Sequence, residues 1–178
     1  MRAAVIRDWA LRVDDIAEPR PGAGQVLTKV LARGICGSDL ATVHGQAGTY
    51  FDAIVSFPFT LGHELVADIV TDSGDDDGDT GTRRRVVLIP VLHCAIRGID
   101  PLCNACATGD INRCERVAFG HIKAGLQTGY CSATGRGRSE VLVAHPPPLA
   151  ELPAQRPDAD ARSIEPAAFA VPPPPSCR

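Results

Sequence analysis

The apolar residues of this chain fall into short, strand-length runs, and glycine or proline closes almost every one of them. Arg2 to Ile6 is the first such run, and Leu11-Arg12-Val13-Asp14-Asp15-Ile16 alternates apolar with polar residues, the period of a half-buried strand. Pro21-Gly22 marks a turn into a longer run from Gln25 to Leu31, and Leu65 to Val70 and Ser139 to Ala144 repeat the pattern. Val86-Val87-Leu88-Ile89 is continuously apolar and is expected to be a buried strand. Helical patterning is scarce: Asp39 to Val43 allows one or two turns, with Ser38 or Asp39 as cap. Thr71 to Thr82, rich in aspartate and glycine, is expected to be an exposed hairpin or loop. Together these features predict a mainly β fold, a small barrel or sandwich with few short helices.

Four cysteines and few aliphatic residues occupy the segment from His93 to Arg116, so something other than a hydrophobic core must organise it. Seven cysteines is an odd number, and the N-terminus breaks its apolar residues with Arg2, Arg7 and Asp8, which leaves no signal-peptide core. A cytoplasmic protein with metal ligands and free thiols is expected rather than a disulfide framework. Cys103, Cys106 and Cys114 are separated by two and seven residues. Cys103-Asn104-Ala105-Cys106 is also formally a redox C-x-x-C, but the βαβ pattern that such chemistry uses is absent. Cys131 and Cys177 are read as ordinary thiols.

A second group of possible ligands is spread more widely. Cys36 follows a strand and sits at a glycine turn; His63-Glu64 precedes the run Leu65 to Val70. Thiolate, imidazole and carboxylate are the side chains that zinc accepts most readily. Ligands on two elements far apart in sequence suit a metal that joins parts of a fold.

Net charge is −3, with no basic stripe, which argues against nucleic acid as partner. The aliphatic runs are far shorter than the roughly 20 residues that span a bilayer, so no membrane insertion is expected.

The segments Gly34-Ile35-Cys36-Gly37-Ser38-Asp39 and Leu61-Gly62-His63-Glu64, in this order, resemble the zinc-dependent medium-chain alcohol and polyol dehydrogenases. The resemblance runs from Met1 to about Val171. It implies a partly open, GroES-like β-barrel with a cysteine-rich zinc lobe. It also implies a catalytic zinc held by Cys36, His63 and Glu165, the last in Ser163-Ile164-Glu165-Pro166-Ala167. Glu64 would then be an outer carboxylate or an exchangeable ligand, Asp39 would orient the His63 ring, and Ser38 would begin a proton relay. In such a site zinc acts as a Lewis acid on an alcohol oxygen. The implied substrate is a small alcohol, polyol or matching carbonyl, with NAD or NADP as hydride carrier, and a homo-oligomer is compatible. A relay histidine found in some members is replaced here by Ala41, and His44 is read as loop or surface.

The same resemblance implies a structural zinc held by Cys103, Cys106 and Cys114 with a fourth family cysteine at the position of Asp100. Either Asp100 ligates through oxygen, or Cys94 swings in as the fourth thiolate, or the site is weakened.

From Pro146 onward most of the chain's fifteen prolines are concentrated, ending in Pro172-Pro173-Pro174-Pro175. An extended or disordered segment is expected there. No Gly-x-Gly-x-x-Gly turn is present; Gly135-Arg136-Gly137-Arg138 lacks the third glycine and precedes a strand. Residues 1–145 are therefore expected to form the zinc-binding catalytic domain, and residues 146–178 the start of a missing Rossmann domain. Truncation, frameshift or a split gene would account for that, and NAD(P) would not bind this chain alone. A non-catalytic zinc-binding module, or an inactive gene product, is the alternative.

Overall fold

The computed structural model describes residues 1–22, 25–46, 54–70, 84–134, 138–145, 149–153, 157–161 and 163–170. In chain order its elements are β1 (Arg2–Arg7), β2 (Ala10–Asp15), β3 (Val26–Arg33), α1 (Gly37–Val43), β4 (Phe59–Thr60), β5 (Leu65–Val70), β6 (Arg85–Leu88), α2 (Asn104–Ala107), a 3-10 turn (Ile111–Arg113), β7 (Val141–Ala144), β8 (Leu149–Glu151), α3 (Asp158–Ala161) and α4 (Ile164–Ala170). The fold is mainly β, with two open antiparallel sheets.

The first sheet has the order β2-β1-β4 and the second β7-β3-β5-β6-β8. Asp8 and Trp9, both at positive φ, form the two-residue turn between β1 and β2, a geometry that matches the twist of paired strands. Ile6, Val55, Phe59, Leu61 and Tyr130 form one buried cluster under this sheet. Leu65, Ala67, Val86, Leu88, Leu142 and Ala144 form another within the second. Burial rather than intrinsic propensity therefore fixes these strands.

The strand β3 carries the irregularity that builds the site. Its pairing with β5 steps from Val30↔Ala67 to Ala32↔Val66, so one extra residue bulges from β3. A bulge bends its strand and redirects the chain beyond it. Just past this one, the Gly34 N–H donates to the Glu64 carbonyl at 2.8 Å, which lays the Gly34–Cys36 turn alongside His63-Glu64. Gly34 is required there: a Cβ on it would lie 3.1 Å from the Glu64 Cβ and collide with the carboxylate. Gly62 and Gly129 meet back to back on the other side, both at positive φ, and a Cβ on Gly129 would lie 2.9 Å from the Gly62 oxygen.

Two expectations change. The cap of α1 is Cys36, not Ser38 or Asp39; Asp39 is the third helical residue, and its Oδ2 accepts the Cys36 N–H at 3.2 Å. The segment after Pro146 is not simply extended or disordered: β8 pairs with β6 through Val86↔Glu151, Val87↔Ala150 and Leu88↔Leu149. The free edge of β6 offers hydrogen bonds, and Leu149 packs on the core, while the prolines fall outside the three paired residues. The helix α3 then returns to the sheet through fully buried Ala161 and an Arg85–Asp158 pair at 2.9 Å. Thr71 to Thr82, the Gly135–Gly137 stretch, Cys177 and the terminal proline run lie outside the described residues.

Candidate functional site

Cys36 at the start of α1 and His63-Glu64 just before β5 converge: their sulfur, imidazole nitrogen and carboxylate oxygen all lie within 4.8 Å of one another. His63 and Glu64 are buried and Cys36 is half-buried, so one ligand side remains open. Around this group the two imidazole nitrogens have different surroundings. Nδ1 lies 3.7 Å from the Asp39 Oδ1, and both atoms are buried without a hydrogen-bond partner among the described residues. Nε2 lies 3.5 Å from the Ser38 Oγ. An imidazole protonated on Nδ1, facing Asp39, leaves Nε2 free as a metal ligand, the usual arrangement of ligating histidines. Burial pulls the pKa of His63 down, against the raising influence of Asp39 and Glu64, so the neutral ligand form is favoured.

Asp39 is itself held. Its Oδ2 accepts from Arg138 Nη2 at 2.6 Å, and the same nitrogen donates to the Gly34 carbonyl at 3.0 Å. Ser38 is fixed from behind, because its carbonyl accepts from the Thr42 and Tyr130 hydroxyls, each at 2.9 Å. Its side chain therefore faces the site, where a cleft of about 260 Å³ is lined by Ser38, Ala41, Gln46, Val55, Leu126, Gln127 and Tyr130. Sequence reasoning missed Arg138, Thr42 and Tyr130. Thr42 reaches Ser38 one helical turn along α1, whereas Arg138 and Tyr130 arrive from the far end of the sequence, which no motif spacing announces. His44 is exposed at the end of α1, and Ala41 lines the cleft.

Glu165 is not among the three converging donors. It stands half-buried on α4, beside a separate cleft of about 340 Å³ that includes Val87, Ile89, Asn112 and Ile164. Burial, helped by the charge of Glu64, pushes its carboxyl up to about 7. Sign follows from linkage: a folded pKa above the ordinary 4.5 stabilises the protonated fold, and that stability is lost as pH rises through about 7. Metal-free protein is expected to lose stability from Glu165 between pH 4.5 and 7. In paired denaturant titrations, Glu165→Gln should remove that part of the pH dependence, and identical profiles for the two proteins would refute it.

The cysteine lobe gathers a second group. The sulfurs of Cys94, Cys103, Cys106 and Cys114 lie within 4.8 Å of one another, with Cys94 and Cys114 at 3.7 Å. Asp100 is exposed and outside the group. Of the two candidates for the fourth position, the fold thus brings in Cys94 and leaves Asp100 out, because Cys94 is fully buried at the base of the lobe. No disulfide joins the described cysteines. Backbone N–H groups of Glu115 and Cys106 pull the Cys103 thiol down to about 6, whereas burial pushes Cys106 up to about 12. Four sulfurs gathered within 4.8 Å of one another, one already inclined to ionise, match the all-thiolate donor set of a structural zinc.

Residues 22–146 match the family model of the alcohol dehydrogenase GroES-like domain. The chain belongs to the zinc-type alcohol dehydrogenase family. Its relatives include the sorbitol dehydrogenase of Bacillus subtilis, 35% identical over 122 residues, covering 67% of this chain and 31% of the relative. A zinc-type alcohol dehydrogenase-like protein of Haemophilus influenzae is 31% identical over 118 residues, covering 65% and 31%. Among solved structures, the 2R,3R-butanediol dehydrogenase of Bacillus subtilis superposes with a TM-score of 0.68 at 26% identity, covering 95% of this chain and 45% of that one. The chain spans less than half the length of each of these family members. The GroES-like domain and the cysteine lobe lie in the part that is shared. No helix among the described residues is long and apolar enough to cross a membrane.

Proposed function

We propose that this chain is the zinc- and substrate-binding half of an alcohol or polyol dehydrogenase, with residues 1–145 as that domain and the segment from Pro146 leading toward a nucleotide-binding unit. The observation that carries the reading is the convergence of Cys36, His63 and Glu64 beside a cleft to which Ser38 belongs. Cys36, His63 and one carboxylate, Glu64 or Glu165, would hold the metal. Bound zinc supplies Lewis-acid polarisation of an alcohol or carbonyl oxygen.

The chain's own residues do the rest. Asp39, pinned by Arg138, faces the Nδ1 of His63 across 3.7 Å, and its charge would favour the ring tautomer that turns Nε2 to the site. Ser38 is placed to hydrogen-bond the substrate oxygen and to pass its proton outward. Leu126, Val55 and Tyr130 shield that oxygen from water, while Gln46 and Gln127 offer amide groups to further hydroxyls. Hydride exchange needs NAD or NADP, and the described residues offer no glycine-rich turn for a dinucleotide; a nucleotide domain, covalently attached or supplied in trans, must present it. The four-cysteine group would hold a second, structural zinc.

Cobalt offers a test that needs no nicotinamide. With cobalt in the Cys36 site, adding a small polyol or alcohol should shift the visible ligand-field bands, and Ser38→Ala should weaken the ligand that causes the shift. Bands that ignore every alcohol and carbonyl tried would sink the catalytic reading and favour a non-catalytic zinc-binding module.

A further inference from the structure

Arg97 is the largest fully buried side chain among the described residues, and no carboxylate among them bonds it. Its residue exposure is 0%. Nε donates to the Leu92 carbonyl at 2.7 Å, Nη1 to those of Phe119, Ile122 and Lys123 at 3.1, 3.1 and 3.3 Å, and Nη2 to that of Gly125. All five hydrogen-bond acceptors found for it among the described residues are backbone carbonyls. Carbonyl dipoles satisfy its donors but leave its charge uncompensated, and burying an unpaired ion costs several kcal/mol. Arg97 stands three residues after Cys94, whose carbonyl accepts the Arg97 N–H at 3.0 Å, and its guanidinium shares the Lys123 carbonyl with the Cys131 sulfur; burial disfavours its charge, and Cys131, Cys114 and Cys94, in that order, favour it. Two of those three belong to the four-cysteine group. As neutral thiols they provide no counter-charge. Four thiolates around one divalent ion do, because the set is then net negative.

The carbonyls that Arg97 collects lie just before the wall of the active cleft. Leu126 accepts the Leu92 N–H at 3.1 Å, Gln127 bridges to Val91, and Thr128 donates to Pro90 at 2.8 Å. Leu126, Gln127 and Tyr130 then line the cleft beside Ser38.

We infer that Arg97 is a positioning residue of the four-cysteine metal centre: it is the buried counter-cation of the metal-bound thiolates, and the strut that fixes residues 119–125 and thereby the Leu126–Tyr130 wall of the cleft. The inference rests on the proposed occupancy of the lobe by zinc. It makes the metal in the lobe a determinant of cleft shape as well as of local stability.

Chelator competition on the purified full chain tests it, with wild type, Arg97→Lys and Arg97→Met compared. The methionine variant should hold the lobe zinc about ten- to hundredfold more weakly, the range expected when an outer partner of a metal site is removed. Lysine should fall between, since it keeps the charge but one ammonium cannot serve the fork of five acceptors. Affinity at the Cys36 site should not move. Should the methionine variant fail to fold, hydrogen exchange in a Cys36→Ser background decides, because only the lobe metal is then present. Stripping it should raise exchange across 119–130. Wild-type zinc affinity in the methionine variant, or exchange there that ignores the metal, overturns the inference alone. A wild-type chain that takes no metal into the four-cysteine group overturns the occupancy and the inference together.

Discussion

Cys106→Ala is expected to lower the metal content by one zinc per chain and to unfold the segment from Cys94 to Cys114. The lobe has little else to hold it. Its buried cluster consists of Cys94, Cys103 and Cys106, with only Ile99, Ala105 and Cys114 packed against them. Its regular structure is a four-residue helix and a three-residue 3-10 turn, lengths at which helices do not sustain themselves in water. Structural zinc contributes about 10–16 kcal/mol apparent in small peptides, comparable with the whole net stability of a domain, about 5–15 kcal/mol. Loss of even a few kcal/mol should lower the melting temperature by about 10 °C or more. The penalty should exceed that of removing any single cysteine outside the two groups. Elemental analysis and thermal unfolding check this together. A variant that keeps two zinc atoms and the wild-type melting temperature would remove the structural-metal reading.

Lobe and barrel differ in how much of each the sequence disclosed. Strands such as Arg2–Arg7 and Leu65–Val70 were legible because short apolar runs coincide there with burial in the sheets. The strand Leu149–Glu151 was not, since proline density on both sides speaks for extended chain, and only the unpaired edge of β6 makes those three residues a strand. The ligand candidates Cys36 and His63-Glu64 could be found from short motifs, yet nothing in either motif says how the two meet. The bulge between Val30 and Ala32, and the Gly34 bond to Glu64, settle that, and both are properties of pairing rather than of local sequence. Cys94 illustrates the same limit. Linear spacing cannot choose between it and Asp100, because the loop from Ala95 to Leu102 must close before either can reach the other three. Arg97 ties that loop to the carbonyls of Phe119, Ile122, Lys123 and Gly125, and a lone arginine carries no motif at all.

Two substitutions at the other centre should separate ligation from orientation. His63→Ala should leave the Cys36 site without zinc while the lobe keeps its own, so metal content falls from two to one with little unfolding. The imidazole is one of the three donors that converge there among the described residues, and two remaining donors hold zinc poorly. If a nucleotide domain is supplied, loss of Lewis-acid polarisation, worth several kcal/mol, should lower the rate by about a thousandfold or more. Asp39→Asn should behave differently. Its oxygen can still accept from Arg138 and from the Cys36 N–H, so α1 should stay in place. What changes is the partner of the His63 Nδ1, which loses a carboxylate and with it part of the basicity of Nε2. Zinc affinity should therefore fall about ten- to hundredfold rather than vanish, and the cobalt bands should shift without disappearing. A His63→Ala chain that still binds two zinc atoms would rule out His63 as a ligand. Unchanged affinity in Asp39→Asn would leave the 3.7 Å approach of Asp39 to His63 without a role in holding the metal.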